Sequence, residues 1–186
     1  MTEHRSLSWL PNALTLARCG LAGFVGWLIY SAPPGSYWPF AAFILVAATD
    51  FIDGYAARRL DAVSAFGAFL DPVADKLLVG VSLIALTVKY DATLVLLIPT
   101  AAIIVRDVIA TLLRLMPSVD MPVSTLAKWK TAAEMTGIGG LLLAMGLGSK
   151  LIWTAGLVIV WGAALLAVYT LGLYIGALIA DSKRPR

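Results

Sequence analysis

Four aspartates stand in two pairs, Asp50 with Asp53 and Asp71 with Asp75, inside stretches otherwise dominated by apolar residues. Spacings of three and four put each pair on one face of a helix. Carboxylates that close repel, and one or more would have to hold a proton. A divalent cation relieves the repulsion by taking several hard oxygen ligands, which points to Mg²⁺ or Mn²⁺ and disfavours Zn²⁺ for want of Cys and His. The competing reading pairs these aspartates with Arg58, Arg106 or Lys76 as packing salt bridges, which a bilayer makes costly to keep. A second group is cationic: Arg18, Arg106, Lys128 and Lys130. Arginine offers bidentate contacts to a phosphate and lysine a flexible point charge. For the two lysines, ordinary anchoring to anionic headgroups, at about 1 kcal/mol each, is the alternative.

The elements that must position these residues follow from composition. Of 186 residues, 60% are hydrophobic and 13% charged, about half the charge of a typical soluble domain. Apolar stretches run over 10–31, 37–58, 69–89, 92–114, 128–148 and 151–180, each long enough to cross a hydrocarbon core of about 30 Å as a helix. The expected fold is all-α: a polytopic membrane protein of six transmembrane helices, with residues 1–186 as one domain. No small-residue cleavage site follows the first stretch, so that stretch is expected to stay as a helix. The net charge of +3 is too small to suggest nucleic acid as a partner, and Cys19 reads as a small packing residue.

If six helices alternate across the bilayer, Arg5, Arg58, Arg59, Lys128, Lys130, Lys183, Arg184 and Arg186 share one side, and only Lys89 and Lys150 mark the connections opposite. The positive-inside rule then puts both termini in the cytoplasm. Trp9, Tyr37, Trp38, Tyr90, Trp129 and Trp153 fall near helix ends, as interfacial aromatics do. In the same topology every ionisable residue within a span lies toward the cytoplasmic end of its helix, which implies one polar cavity open to that side. A transporter or proton channel is the reading from a different class, but a through-path would distribute carboxylates in depth. Glu134, four after Lys130, is expected to pair with it along the helix. Gly20, Gly23 and Gly26 on the first helix, and Gly172 and Gly176 on the sixth, are candidates for close helix packing.

The run from Asp50 through Asp53, Gly54, Ala57 and Arg58, followed after eight residues by Gly67, Asp71 and Asp75, resembles the signature of the CDP-alcohol phosphatidyltransferases. Leu10-Pro11-Asn12, Thr15 and Arg18, the stretch Phe66 to Lys76, and Val123 to Thr131 are similar to the phosphatidylglycerophosphate synthase branch. That branch leads one to expect Arg-Glu late in the fourth helix, where this chain has Arg106-Asp107. Cardiolipin synthases share much of the pattern.

The resemblance implies transfer of the phosphatidyl group of CDP-diacylglycerol to glycerol 3-phosphate with release of CMP, cardiolipin synthesis being the alternative. It implies two Mg²⁺ or Mn²⁺ ions held by Asp50, Asp53, Asp71 and Asp75, with Asp75 also the general base. Asn12, Thr15, Arg18, Asp53, Gly54, Ala57, Arg58 and Gly67 would bind CDP-diacylglycerol, although Asn12 and Thr15 read equally well as helix-capping residues near Pro11. Arg106, Lys128 and Lys130 would hold the acceptor's phosphate. A homodimer among membrane lipids, in a bacterial inner membrane with a cytoplasmic active site, completes what the family implies.

Overall fold

The protein is described here from a computed structural model, which covers the backbone of residues 10–60, 65–114 and 125–182 and the side chains of residues 17–49, 76–113 and 129–176. Six helices follow one another: α1 (Leu10–Ser31), α2 (Trp38–Leu60), α3 (Ala65–Lys89), α4 (Leu94–Arg114), α5 (Thr125–Leu147) and α6 (Lys150–Ser182). Their bounds lie close to the apolar stretches of the sequence, and there is no strand among the described residues. At 1.5 Å per residue the 21 residues of α4, the shortest helix, span about 30 Å. Among the described residues two stretches, Leu94–Leu113 and Lys150–Gly176, are long and apolar enough to cross a membrane.

Contacts near the helix ends define one end of the bundle. Lys89, closing α3, donates from Nζ to the carbonyls of Tyr30 and Ala32 at 2.9 and 2.7 Å, so it caps the orphan C-terminal carbonyls of α1. Tyr37, just before α2, lies against Gly146 near the end of α5, and Tyr90 packs on Trp153 in the first turns of α6 with ring centroids 4.6 Å apart. Gly148, at φ 64°, takes the left-handed turn that closes α5. The ends of α1, α3 and α5 are therefore gathered with the starts of α2 and α6. The opposite end holds the starts of α1, α3 and α5 and the ends of α2, α4 and α6.

Between the two ends the helices are joined by apolar packing with a few satisfied polar groups. Phe43, Leu83, Leu86, Ile103, Ile138 and Leu141 are among the fully buried core side chains. Pro99 interrupts α4, and without an N–H it leaves the carbonyl of Val95 without its helical donor. Trp161 Nε1 of α6 donates to that oxygen at 3.0 Å, which turns the break into a link between helices. Thr87 donates to Leu83 O at 2.8 Å, so in its 3.0 Å contact across α3 and α4 it accepts from Thr100.

The glycine expectations divide. A Cβ on Gly26 would run into Val81 Cγ1, so α1 approaches α3 closely there. Gly20, Gly23, Gly172 and Gly176 have nothing within 4 Å of such an atom among the described residues. The close approach of α5 to α6 uses other glycines: a Cβ on Gly137 would meet Val160 Cγ2 at 2.7 Å, and one on Gly156 would meet the Leu141 nitrogen at 3.0 Å. Outward faces are strongly apolar, with Leu45, Leu94, Leu151, Val158 and Leu165 all exposed, whereas Arg106, Asp107, Lys130 and Glu134 are buried. That inversion of the water-soluble pattern suits a lipid solvent.

Candidate functional site

The buried charges meet at the end of the bundle away from Lys89. Asp107 is their centre. Its Oδ1 accepts from Arg106 Nη1 at 2.9 Å and from Lys130 Nζ in a short contact, and Lys76 Nζ stands 3.7 Å away. Three helices thus contribute cations to one carboxylate oxygen: α3 gives Lys76, α4 Arg106 and α5 Lys130. Lys130 also lies 2.9 Å from Glu134 Oε1, one turn on, as the i,i+4 spacing leads one to expect, although the two are not aligned as a hydrogen bond.

Burial changes the reading of these cations. Lys130 is 1% exposed and Arg106 3%, so neither reaches out to headgroups. The anchoring alternative therefore fails for Lys130. Arg106 lies about 12 Å inside the end of α4 at the helical rise. Removing such ions from water costs several kcal/mol each, a cost that Asp107 and Glu134 offset.

The guanidinium of Arg106 is held on further sides by α6. Its Nε donates to Thr170 Oγ1 at 3.3 Å, and its carbon stands 5.5 Å from the centre of the Tyr174 ring. Its remaining nitrogen, Nη2, is buried and has no hydrogen-bond partner among the described residues. An arginine fixed by an anion, a hydroxyl and a ring, with one fork nitrogen left over, is suited to accept an oxyanion. Thr170 and Tyr174 give no signal in the sequence beyond their place on a hydrophobic helix. Asp107 stands where the resemblance leads one to expect Glu after Arg106, but its contact with Arg106 is not legible, because side chains at i and i+1 on a helix do not ordinarily face each other.

Of the other residues expected to bind ligand, Arg18 is half-buried on α1. Asn12 and Thr15 lie on α1, Asp50, Asp53, Gly54, Ala57 and Arg58 on the second half of α2, Gly67, Asp71 and Asp75 on the first half of α3, and Lys128 at the start of α5. Their side chains are outside the described residues. The backbone still places them: residues 61–64 between α2 and α3 can reach no more than about 18 Å, so the end of α2 and the start of α3 share one end of the bundle, that of Arg106 and Lys130. Beside it, between α3 and α4, opens a cavity of about 350 Å³ whose walls are hydrocarbon, Val79, Ile84, Ile103 and Val108 among them, except around Lys76, Asp107 and Thr111.

Comparison with known proteins adds a chemical context. Residues 8–169 match the family model described as CDP-alcohol phosphatidyltransferase. The chain is 40% identical over 167 residues to a Rickettsia bellii protein named CDP-diacylglycerol–glycerol-3-phosphate 3-phosphatidyltransferase, with 87% of this chain and 90% of the relative covered. It is 37% identical over 182 residues to an Escherichia coli protein of the same name, with 92% and 96% covered.

Proposed function

This chain belongs to the CDP-alcohol phosphatidyltransferase family, and from that membership we propose that it transfers the phosphatidyl group of CDP-diacylglycerol to glycerol 3-phosphate, giving phosphatidylglycerophosphate and CMP. One observation carries the choice of acceptor. Arg106 and Lys130 are buried side by side on Asp107 at the end of the bundle that the four aspartates share. Glycerol 3-phosphate is a small dianion, and its phosphate needs fixed cations near the reacting centre. The names of the relatives support the same acceptor.

The donor set suits a divalent metal. Asp50 and Asp53 sit within one unbroken helix and Asp71 and Asp75 within the next, so each pair shares a helix face and offers only hard oxygen. We assign these four residues to two ions, Mg²⁺ or Mn²⁺. Bound there, the ions supply charge neutralisation for the diphosphate and for the departing CMP. Asp75 takes the proton of the acceptor hydroxyl. The hydroxyl oxygen bonds to the phosphorus that carries diacylglycerol, the bond from that phosphorus to the CMP oxygen breaks, and CMP leaves. Arg106 and Lys130, with Lys128 at the start of the same helix, hold the acceptor's phosphate so that the hydroxyl is presented to that phosphorus. Asn12, Thr15 and Arg18 on α1, with Asp53, Gly54, Ala57 and Arg58 on α2 and Gly67 on α3, bind the cytidine diphosphate portion of CDP-diacylglycerol. The apolar cavity between α3 and α4 supports a substrate that joins hydrocarbon tails to a charged head.

All six helices span the membrane in this reading, with both termini and the site on the cytoplasmic side of a bacterial inner membrane. The exposed apolar faces, the basic bias toward the site's end and the bacterial relatives support it. A homodimer belongs to the same reading, and the open faces at Gly172 and Gly176 leave room for a second copy to approach.

The test is purified protein in detergent with CDP-diacylglycerol and Mg²⁺ or Mn²⁺. CMP release is expected on addition of glycerol 3-phosphate, with phosphatidylglycerophosphate identified by mass. Release with phosphatidylglycerol alone, yielding cardiolipin, overturns the acceptor. No release with either overturns the transferase.

A further inference from the structure

We infer that Thr170 and Tyr174 of α6 are positioning residues for the acceptor, acting through Arg106; this rests on the reading that Arg106 binds the acceptor's phosphate. Both lie on α6, just beyond residue 169, where the match to the family model ends.

The hydrogen bonding gives Thr170 a defined direction. Its hydroxyl donates to Ala167 O at 3.0 Å, one turn back, and this fixes the proton away from Arg106. A lone pair is thereby turned toward Arg106 Nε, which donates to it at 3.3 Å. Thr170 is 2% exposed, so water does not compete for that contact. Tyr174, one turn on, sets its ring 5.5 Å from the guanidinium carbon, within the range of a cation–π attraction. Asp107 takes Nη1.

With Nε and Nη1 occupied and a ring against the group, the guanidinium has little freedom left. Nη2 is the nitrogen these contacts leave open. Without α6 the guanidinium could rotate about its stem and give both fork nitrogens to Asp107, since a bidentate pair with a carboxylate is the stronger arrangement. Thr170 opposes that by holding Nε. The two α6 residues thus keep an arginine donor available to an incoming phosphate although a carboxylate lies next to it. They need not touch the substrate, so their effect is confined to acceptor affinity.

The experiment is steady-state kinetics on the full-length protein in detergent, varying glycerol 3-phosphate and CDP-diacylglycerol separately, for Thr170→Val, Thr170→Ser, Tyr174→Leu, Tyr174→Phe and Arg106→Ala. Thr170→Val and Tyr174→Leu are expected to raise KM for glycerol 3-phosphate about three- to tenfold each. KM for CDP-diacylglycerol and kcat should stay within about twofold, as they should for a loss of ground-state binding alone. Thr170→Ser keeps the hydroxyl and Tyr174→Phe keeps the ring, so both should restore the glycerol 3-phosphate KM to within about twofold of the parent. Tyr174 is half-exposed, and its variants carry the test if Thr170→Val does not accumulate as folded protein. If Arg106→Ala raises the glycerol 3-phosphate KM but Thr170→Val and Tyr174→Leu do not, the positioning role is wrong and the acceptor site stands. If Arg106→Ala leaves that KM unchanged, the acceptor reading fails and the positioning role falls with it. Equal losses against both substrates, unrescued by the conservative variants, mean a structural role only.

Discussion

Lys130 on α5 and Asp107 on α4 form a buried ion pair across 23 residues of sequence, on the same carboxylate oxygen that accepts from Arg106. The pair ties two helices together at the end of the bundle that carries the aspartates. It also brings two cations closer than they would stand unaided, because the carboxylate between them screens their repulsion. The consequences for stability and for catalysis can be tested separately.

Replacing Asp107 by Asn should destabilise the protein by about 3 to 5 kcal/mol, since it leaves Arg106 and Lys130 buried without their shared anion. Reversible unfolding in mixed micelles measures this. Adding Lys130→Met to Asp107→Asn should recover a substantial part of the loss, and strict additivity of the two changes would show that the residues are not coupled.

Gly156→Ala should cost about 1 to 3 kcal/mol, because the new Cβ would meet the Leu141 backbone nitrogen, which cannot yield as a side-chain tip can. Gly172→Ala, with nothing among the described residues within 4 Å of the new atom, should be neutral within about 0.5 kcal/mol for the fold of the single chain. Equal stability of the two variants in the same micelle would contradict the close approach of α5 to α6.

Asn at Asp50, Asp53 or Asp71 should each lower turnover by about two or more orders of magnitude while leaving the thermal transition in detergent nearly unchanged. Removing one hard ligand weakens a divalent site, so a higher metal concentration should recover part of the activity. Parent-level turnover at equal metal concentration would take that residue out of the site.

Asp75→Asn should abolish transfer yet retain CDP-diacylglycerol binding, because a general base matters to the chemical step more than to the ground state. Binding and turnover can be followed on one preparation. Parallel collapse of both would make Asp75 a metal ligand without a proton-transfer role.

Much of the fold was legible because a bilayer restricts what apolar runs can do. Stretches of about 20 residues become helices, and the apolar stretches fall close to the bounds of all six. Arg106 and Lys130 were legible as site candidates because a charge within a span needs a reason. Their contacts were not. Asp107 directly follows Arg106, a spacing that ordinarily separates side chains by about 100° on a helix, and only the length of the arginine lets the two meet. Thr170 is one of several threonines on hydrophobic helices, of which Thr111, Thr136 and Thr154 bond to their own backbone four residues back. Which glycines pack also depends on neighbours: Gly172 and Gly176 have the familiar spacing yet meet nothing within 4 Å among the described residues, whereas Gly137 and Gly156 meet across α5 and α6 from different helices. The carbonyl freed by Pro99 finds Trp161 through the same tertiary placement, which periodicity does not encode.

The most direct test of the acceptor site is the effect of Arg106→Ala on the two substrates. Loss of a charge-assisted contact to phosphate costs about 1.5 to 3 kcal/mol. The KM for glycerol 3-phosphate should therefore rise roughly ten- to a hundredfold, while that for CDP-diacylglycerol stays within about twofold. An unchanged KM for glycerol 3-phosphate, or an equal rise for both substrates, would contradict the assignment of this buried cation to the acceptor's phosphate.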